Sequence, residues 1–346
     1  MPVPAFALRF LNHYAPNNAL ASVEANYLAR HSQQSTRILR FIAALLRWGG
    51  LMLGLILAGG VLAGSLLQRD AYPVGEQLEQ LPAIFLFSVL IAHFVVQFRT
   101  VMLSSSSIAR EREHNNWELL ILTGVSARTI VRGKWRAVVQ RQLPTYLWLA
   151  ALRACAVVWY GFFLSNESRR FYLTIYGGDY FVVLPEPGTV IFAGAIIILL
   201  TLLNLPLTAA CALVGGAVGK NAATALSRGI AIRALVGLVP GIVYLIALGV
   251  FGYLFRETGF TNVVWMNGIL TWVGVLPLTL ADNGVTIGST LSQVQIYSTG
   301  YDYRQSSDTL WLMVSAAIAF VPIYIWMIGG VLRWAERRVV MRGALR

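Results

Sequence analysis

The chain is short of charge. Asp, Glu, Lys and Arg make up 12% of its 346 residues, and only 15 of them are acidic. With 57% apolar residues, such a chain has too little polar surface to face water as a globule. Cysteine is scarce as well. The two present, Cys155 and Cys211, fall inside apolar runs with no C-x-x-C spacing, which excludes a disulfide framework or a cysteine metal site. Four histidines, His13, His31, His93 and His114, are scattered and form no H-E-x-x-H pair, so no metal ligands are expected. The apolar runs hold no aspartate pair for intramembrane proteolysis, and a Ser-His-Asp set can be imagined in any chain of this length. With no catalytic constellation, the chain is not read as an enzyme. Its start also lacks the apolar core of a signal peptide, because Pro2, Pro4, Asn12, His13 and Asn17 interrupt it.

What the chain has is long apolar runs. They cover about 45–67, 81–103, 143–165, 189–218, 234–255 and 309–332, with a weaker one at 263–281. About 20 apolar residues cross a ~30 Å hydrocarbon layer as a helix, and these runs show none of the alternation of a membrane β-barrel. The fold class expected is all-α integral membrane protein with six transmembrane helices. Membrane lipids are then its surroundings. The net charge of +12 marks loops on one side of the bilayer; no nucleic-acid partner is expected.

The flanking charges set an orientation. Arg30, Arg37 and Arg40 precede the first run, and Arg110, Arg112, Arg128, Arg132, Lys134, Arg136 and Arg141 fill the second connection. Lys220, Arg228 and Arg233 lie between the fourth and fifth runs, and Arg333, Arg337, Arg338, Arg342 and Arg346 close the chain. The other connections carry Asp70, Glu76, Glu79, Glu167, Asp179, Glu186, Asp282, Asp302 and Asp308. Basic loops face the cytoplasm, which predicts a multi-pass plasma (cytoplasmic) membrane protein with both termini cytoplasmic and an even number of crossings. Segment 263–281, broken by Asn267, Gly268, Gly274 and Pro277, is then an outer re-entrant or interfacial hairpin rather than a seventh span. Residues 1–42 form a cytosolic N-terminal segment. Its Leu20, Val23, Tyr27 and Leu28 follow helical spacing, as in an interfacial amphipathic helix or a solvated arm with helical bias. Residues 43–346 form the membrane domain, ending in a basic tail over 333–346.

The block 104–142 concentrates the charge. Ser104 to Ser107 offer N-cap hydroxyls for a new helix, with Glu111 and Glu113 near its start. Trp117, Leu120 and Ile121 share a helical face next to Glu118. Gly124 permits a turn, and Ser126 caps a second short helix carrying Arg128, Arg132 and Lys134. Such a helix–turn–helix suits docking into a partner's groove; the plainer reading is a basic loop against anionic headgroups.

Arg110-Glu111-Arg112-Glu113, Trp117-Glu118-Leu119-Leu120, Leu122-Thr123, Ser126 and Gly133-Lys134 resemble the cytosolic coupling segment of type-2 ABC transporter permeases, with Gly124 where a proline is frequent. The close match covers about a tenth of the chain. The resemblance implies the transmembrane subunit of an exporter, with a cytosolic ABC ATPase subunit and a second permease copy or paralogue as partners. No cofactor belongs in this chain; ATP and Mg would sit in the ATPase. Trp117, Glu118, Leu120, Thr123, Ser126 and Lys134 are the implied ATPase contacts. Glu111 and Glu113, with Arg110 and Arg112, are the charge pairs expected to hold the inner ends of the spans together. The other reading is a membrane scaffold that keeps this fold without transporting.

Polar residues inside spans are costly and point to function. Arg153 and Asn204 are candidates for a substrate path; Arg153 alternatively pairs internally, and His93 and Asn204 alternatively bond between helices. Arg47 lies near a span end and snorkels. Gly50/Gly54, Gly60/Gly64 and Gly237/Gly241 are GxxxG pairs suited to close helix seams. Gly215-Gly216-Ala217-Val218-Gly219-Lys220-Asn221 looks faintly like a phosphate loop, but its spacing is one residue short and no Ser or Thr follows the lysine.

Overall fold

A computed structural model describes residues 21–26, 48–52, 54–56, 58–59, 81–113, 125–176, 181–182, 187–237, 242, 296–297 and 304–344. The expected hairpin at 263–281 lies outside them. The described part is helical apart from one two-residue antiparallel pair, β1 (Phe181–Val182) with β2 (Ile296–Tyr297). The main helices are α1 (Leu81–Glu113), α2 (Ala127–Tyr176), α3 (Pro187–Val218), α4 (helical over 222–237) and α5 (Arg304–Ala344).

Stretches Ile84–Glu111, Ala127–Tyr160 and Ile191–Val218 are each long and apolar enough to cross a membrane. The helices overrun the bilayer. At 1.5 Å per residue, the 33 residues of α1 span about 50 Å and the 50 of α2 about 75 Å, against ~30 Å of hydrocarbon. Both helices are thus longer than one crossing requires.

Burial separates the helices. In α3, 83% of the apolar window is buried, and this helix touches α1, α2 and α5; in α1 the share is 33%. α3 is the central helix, and α1 turns Ile84, Phe87, Ile91, Phe94, Val95, Phe98 and Met102 outward at helical spacing. Pro206 sits inside α3, Pro144 inside α2 and Pro322 inside α5.

The expected helix start at Ser104–Ser107 is corrected. These serines lie in the interior of α1 because their hydroxyls find acceptors without breaking the helix. Ser105, Ser106 and Ser107 bond the carbonyls of Met102, Leu103 and Ser104, and Ser104 Oγ donates across to Ala209 O at 2.9 Å. The second helix of the block is likewise long rather than short: it is α2 itself. The connection between the fourth and fifth apolar runs, which carries Lys220, Arg228 and Arg233, is a turn only at 219–221, where Asn221 caps α4 by accepting from Thr224 N at 2.9 Å.

Glycine sets the crossing distances here. A Cβ on Gly216 would stand 2.7 Å from Ser105 O, and one on Gly215 would stand 2.3 Å from Gly229 N. The serine stretch of α1, the end of α3 and the start of α4 thus touch backbone to backbone. Gly50 and Gly54 face Leu152 and Cys155 of α2, so this GxxxG pair is a seam within the chain.

Candidate functional site

Two polar constellations stand out. The first joins the ends of α1 and α2 with the N-terminal stretch 21–26. Lys134, 1% exposed, directs its ammonium to Glu24 Oε2 (3.1 Å), Glu111 Oε1 (3.2 Å) and Ser107 O (3.0 Å). Three N–H donors meet three acceptors, which satisfies a buried lysine. Arg110 donates to the other oxygen of Glu24 at 2.9 Å. Two carboxylates and two cations balance, so burial leaves no net charge in the cluster. Ser107 and Glu111 are one turn apart on α1, which is why one lysine reaches both. Nearby, Trp135 Nε1 donates to Pro206 O at 3.0 Å and Arg132 pairs with Glu336 at 2.7 Å, tying α2 to α3 and α5.

The second constellation lies within the spans. Arg233 of α4 donates to Asn204 Oδ1 (2.6 Å) and Thr208 Oγ1 (3.1 Å), and Thr208 also donates to Asn204 Oδ1 (3.2 Å). Two donors on Oδ1 fix the amide, so Nδ2 must donate to His93 Nε2, 3.0 Å away on α1. Gln97 Nε2 approaches the same ring nitrogen at 2.7 Å. Deeper in α2, Arg153 donates to Thr201 Oγ1 of α3 at 2.8 Å. Arg153 and Asn204 are buried against neighbouring helices, at 1% and 0% exposed. Both thus serve as links between helices in this conformation.

The expected coupling residues divide. Trp117, Glu118, Leu120 and Thr123 lie outside the described residues. Of Arg112 and Glu113 only the helical backbone is described. Ser126 caps α2, its Oγ accepting from Thr129 N at 3.2 Å, and is itself exposed. Lys134, named above among the partner contacts, is buried, with its ammonium paired to Glu24 and Glu111. Glu111 pairs with this lysine rather than with a neighbouring arginine.

Sequence reasoning missed Glu24 and Arg233. Glu24 had a signal: it is the sole carboxylate ahead of Asp70. Arg233 had none, because it reads as one more flanking cation. The glycine-rich run 215–221 is accounted for by packing: Gly219 N bonds Gly215 O, and the N–H groups of Lys220 and Asn221 turn to Thr224 Oγ1. Among the described residues no group of three or more His, Cys, Asp and Glu is placed to hold a metal. No protein-family model and no curated protein matches the chain.

Proposed function

We propose that this chain is the permease subunit of an ATP-driven ABC transporter, an exporter, working with a separate cytosolic ATPase. One observation carries the reading. The W-E-L-L-x-L-T pattern of Trp117 to Thr123 falls in sequence between the end of α1 and the start of α2, two helices that run without interruption into apolar spans. The cluster of Glu24, Arg110, Glu111 and Lys134 locks those ends together. A push on 114–124 would then pass to α1 and α2 as one body, and through the Ser104–Ala209 and Trp135–Pro206 bonds to central α3.

In this reading ATP binding draws two ATPase subunits together, and Trp117, Glu118, Leu120, Thr123 and Ser126 receive the motion. Two arrangements of the bundle, open to one side or the other, exchange populations. ATP and Mg act in the partner. The chain crosses the plasma membrane six times with both termini cytoplasmic, and it pairs with a second permease copy or paralogue. A scaffold that keeps the fold without transporting is the competing reading.

Trp117→Ala tests the coupling. Loss of ATPase association, with the chain still folded in the membrane, is expected. Intact association and intact coupled transport in the variant would overturn the docking role.

A further inference from the structure

Along α5 one face changes character within a turn. Pro322, Trp326 and Gly330 point outward, with Trp326 72% exposed and open space around Gly330. From position 333 the same face presents Arg333 and Arg337, flanked by Trp334 (40% exposed) and Arg338. The opposite face, Tyr324, Ile328, Leu332, Ala335 and Val339, is buried in the bundle. The Arg132–Glu336 pair fixes this rotation, so the arginines cannot turn inward.

We propose that this face is a headgroup site for an anionic phospholipid. The apolar part matches acyl chains, and the arginines start where that part ends. Helical side chains lean toward the helix N-terminus, here toward the apolar run. Arg333 does so, its Nε donating back to Gly329 O at 3.2 Å. The Arg333 guanidinium thus turns toward the apolar run, where the phosphates of a bilayer would lie, and helix geometry inclines Arg337 and Arg338 the same way. Arginine's planar donor fork suits phosphate oxygens, and the neighbouring Trp334 suits the interfacial layer. The site rests on the reading that the apolar run of α5 lies in a bilayer, and not on which side the chain ends.

The test uses the full-length chain in detergent, offered equal amounts of phosphatidylglycerol and phosphatidylcholine with the same acyl chains. Retained lipid is counted by native mass spectrometry. Phosphatidylglycerol should be enriched on the unaltered chain. Each arginine replaced in R333Q, R337Q and R338Q should lower the ratio about fivefold, the equivalent of ~1 kcal/mol per basic residue near an anionic surface. The three lysine replacements should keep most of the enrichment, and Arg128→Gln, an exposed arginine on α2 farther from the apolar run, should not change it. Equal retention of the two lipids, or an enrichment that survives all three glutamines, overturns the site while leaving the membrane reading intact. An acidic polypeptide held by these arginines in place of lipid overturns it too. A chain that stays monodisperse without detergent and retains neither lipid removes the membrane reading and the site together.

Discussion

Glu24 and Lys134 are 110 residues apart in sequence and 3.1 Å apart in space, both buried. Their contact fastens the N-terminal stretch into the junction of α1 and α2, where Arg110 and Glu111 complete a balanced set of four charges. The cluster joins the C-terminal end of α1 to the N-terminal part of α2.

Lys134→Met should be costly. It leaves Glu24 and Glu111 facing one another without their shared cation, and removing one member of a buried ion pair costs about 3 kcal/mol or more. Glu24→Gln leaves Lys134 on Glu111 and the Ser107 carbonyl and should cost less, about 2 kcal/mol. Reversible unfolding of the purified variants in mixed micelles measures both; equal stability of all three proteins would contradict the cluster.

Gly216→Ala and Gly330→Ala should behave oppositely. The added methyl at Gly216 meets the Ser105 carbonyl at 2.7 Å, which is backbone and cannot rotate away, so α1 and α3 must part. Expression of folded protein should fall sharply. At Gly330 nothing lies within 4 Å, and replacing a helical glycine by alanine should stabilise by up to ~1 kcal/mol. Size-exclusion profiles and thermal midpoints separate the two outcomes.

Asn204→Leu removes the one amide that serves His93, Thr208 and Arg233 together. A loss of about 2–4 kcal/mol is expected, since several buried polar groups lose an acceptor or donor at once. The double variant with Arg233→Met should recover part of it, because the guanidinium that used the amide is gone as well. A double-mutant cycle with zero coupling would mean that the two side chains do not meet.

Neither cysteine should react with a maleimide in the native protein. Cys155 is 7% exposed and Cys211 is 0% exposed, and each lies within an apolar window. Both should label after unfolding in SDS. Rapid native labelling of Cys211 would contradict the central position of α3.

The membrane helices were legible because apolar runs state their own extent. The run read over 81–103 begins at the first residue of α1, and the run over 189–218 ends with α3. What could not be read was where helices continue past the bilayer. Residues 104–113 read as the cap and first turns of a separate helix because serines and charges interrupt the apolar pattern. They remain helical because Ala209, Lys134 and Glu24 supply partners for Ser104, Glu111 and Arg110 from distant parts of the chain. The same limit applies to the site. Asn204 and His93 announce themselves as polar residues in apolar surroundings, whereas the burial of Arg233 and Lys134 depends on which acceptors meet them in space.

Isolation of the tagged chain from its membrane in mild detergent, with mass spectrometry of what accompanies it, tests the transporter reading most directly. The expected result is a stoichiometric ATPase subunit with nucleotide-binding motifs, lost from the Trp117→Ala preparation. Other membrane proteins in stoichiometric amount with no ATPase among them would contradict that reading and favour a scaffold.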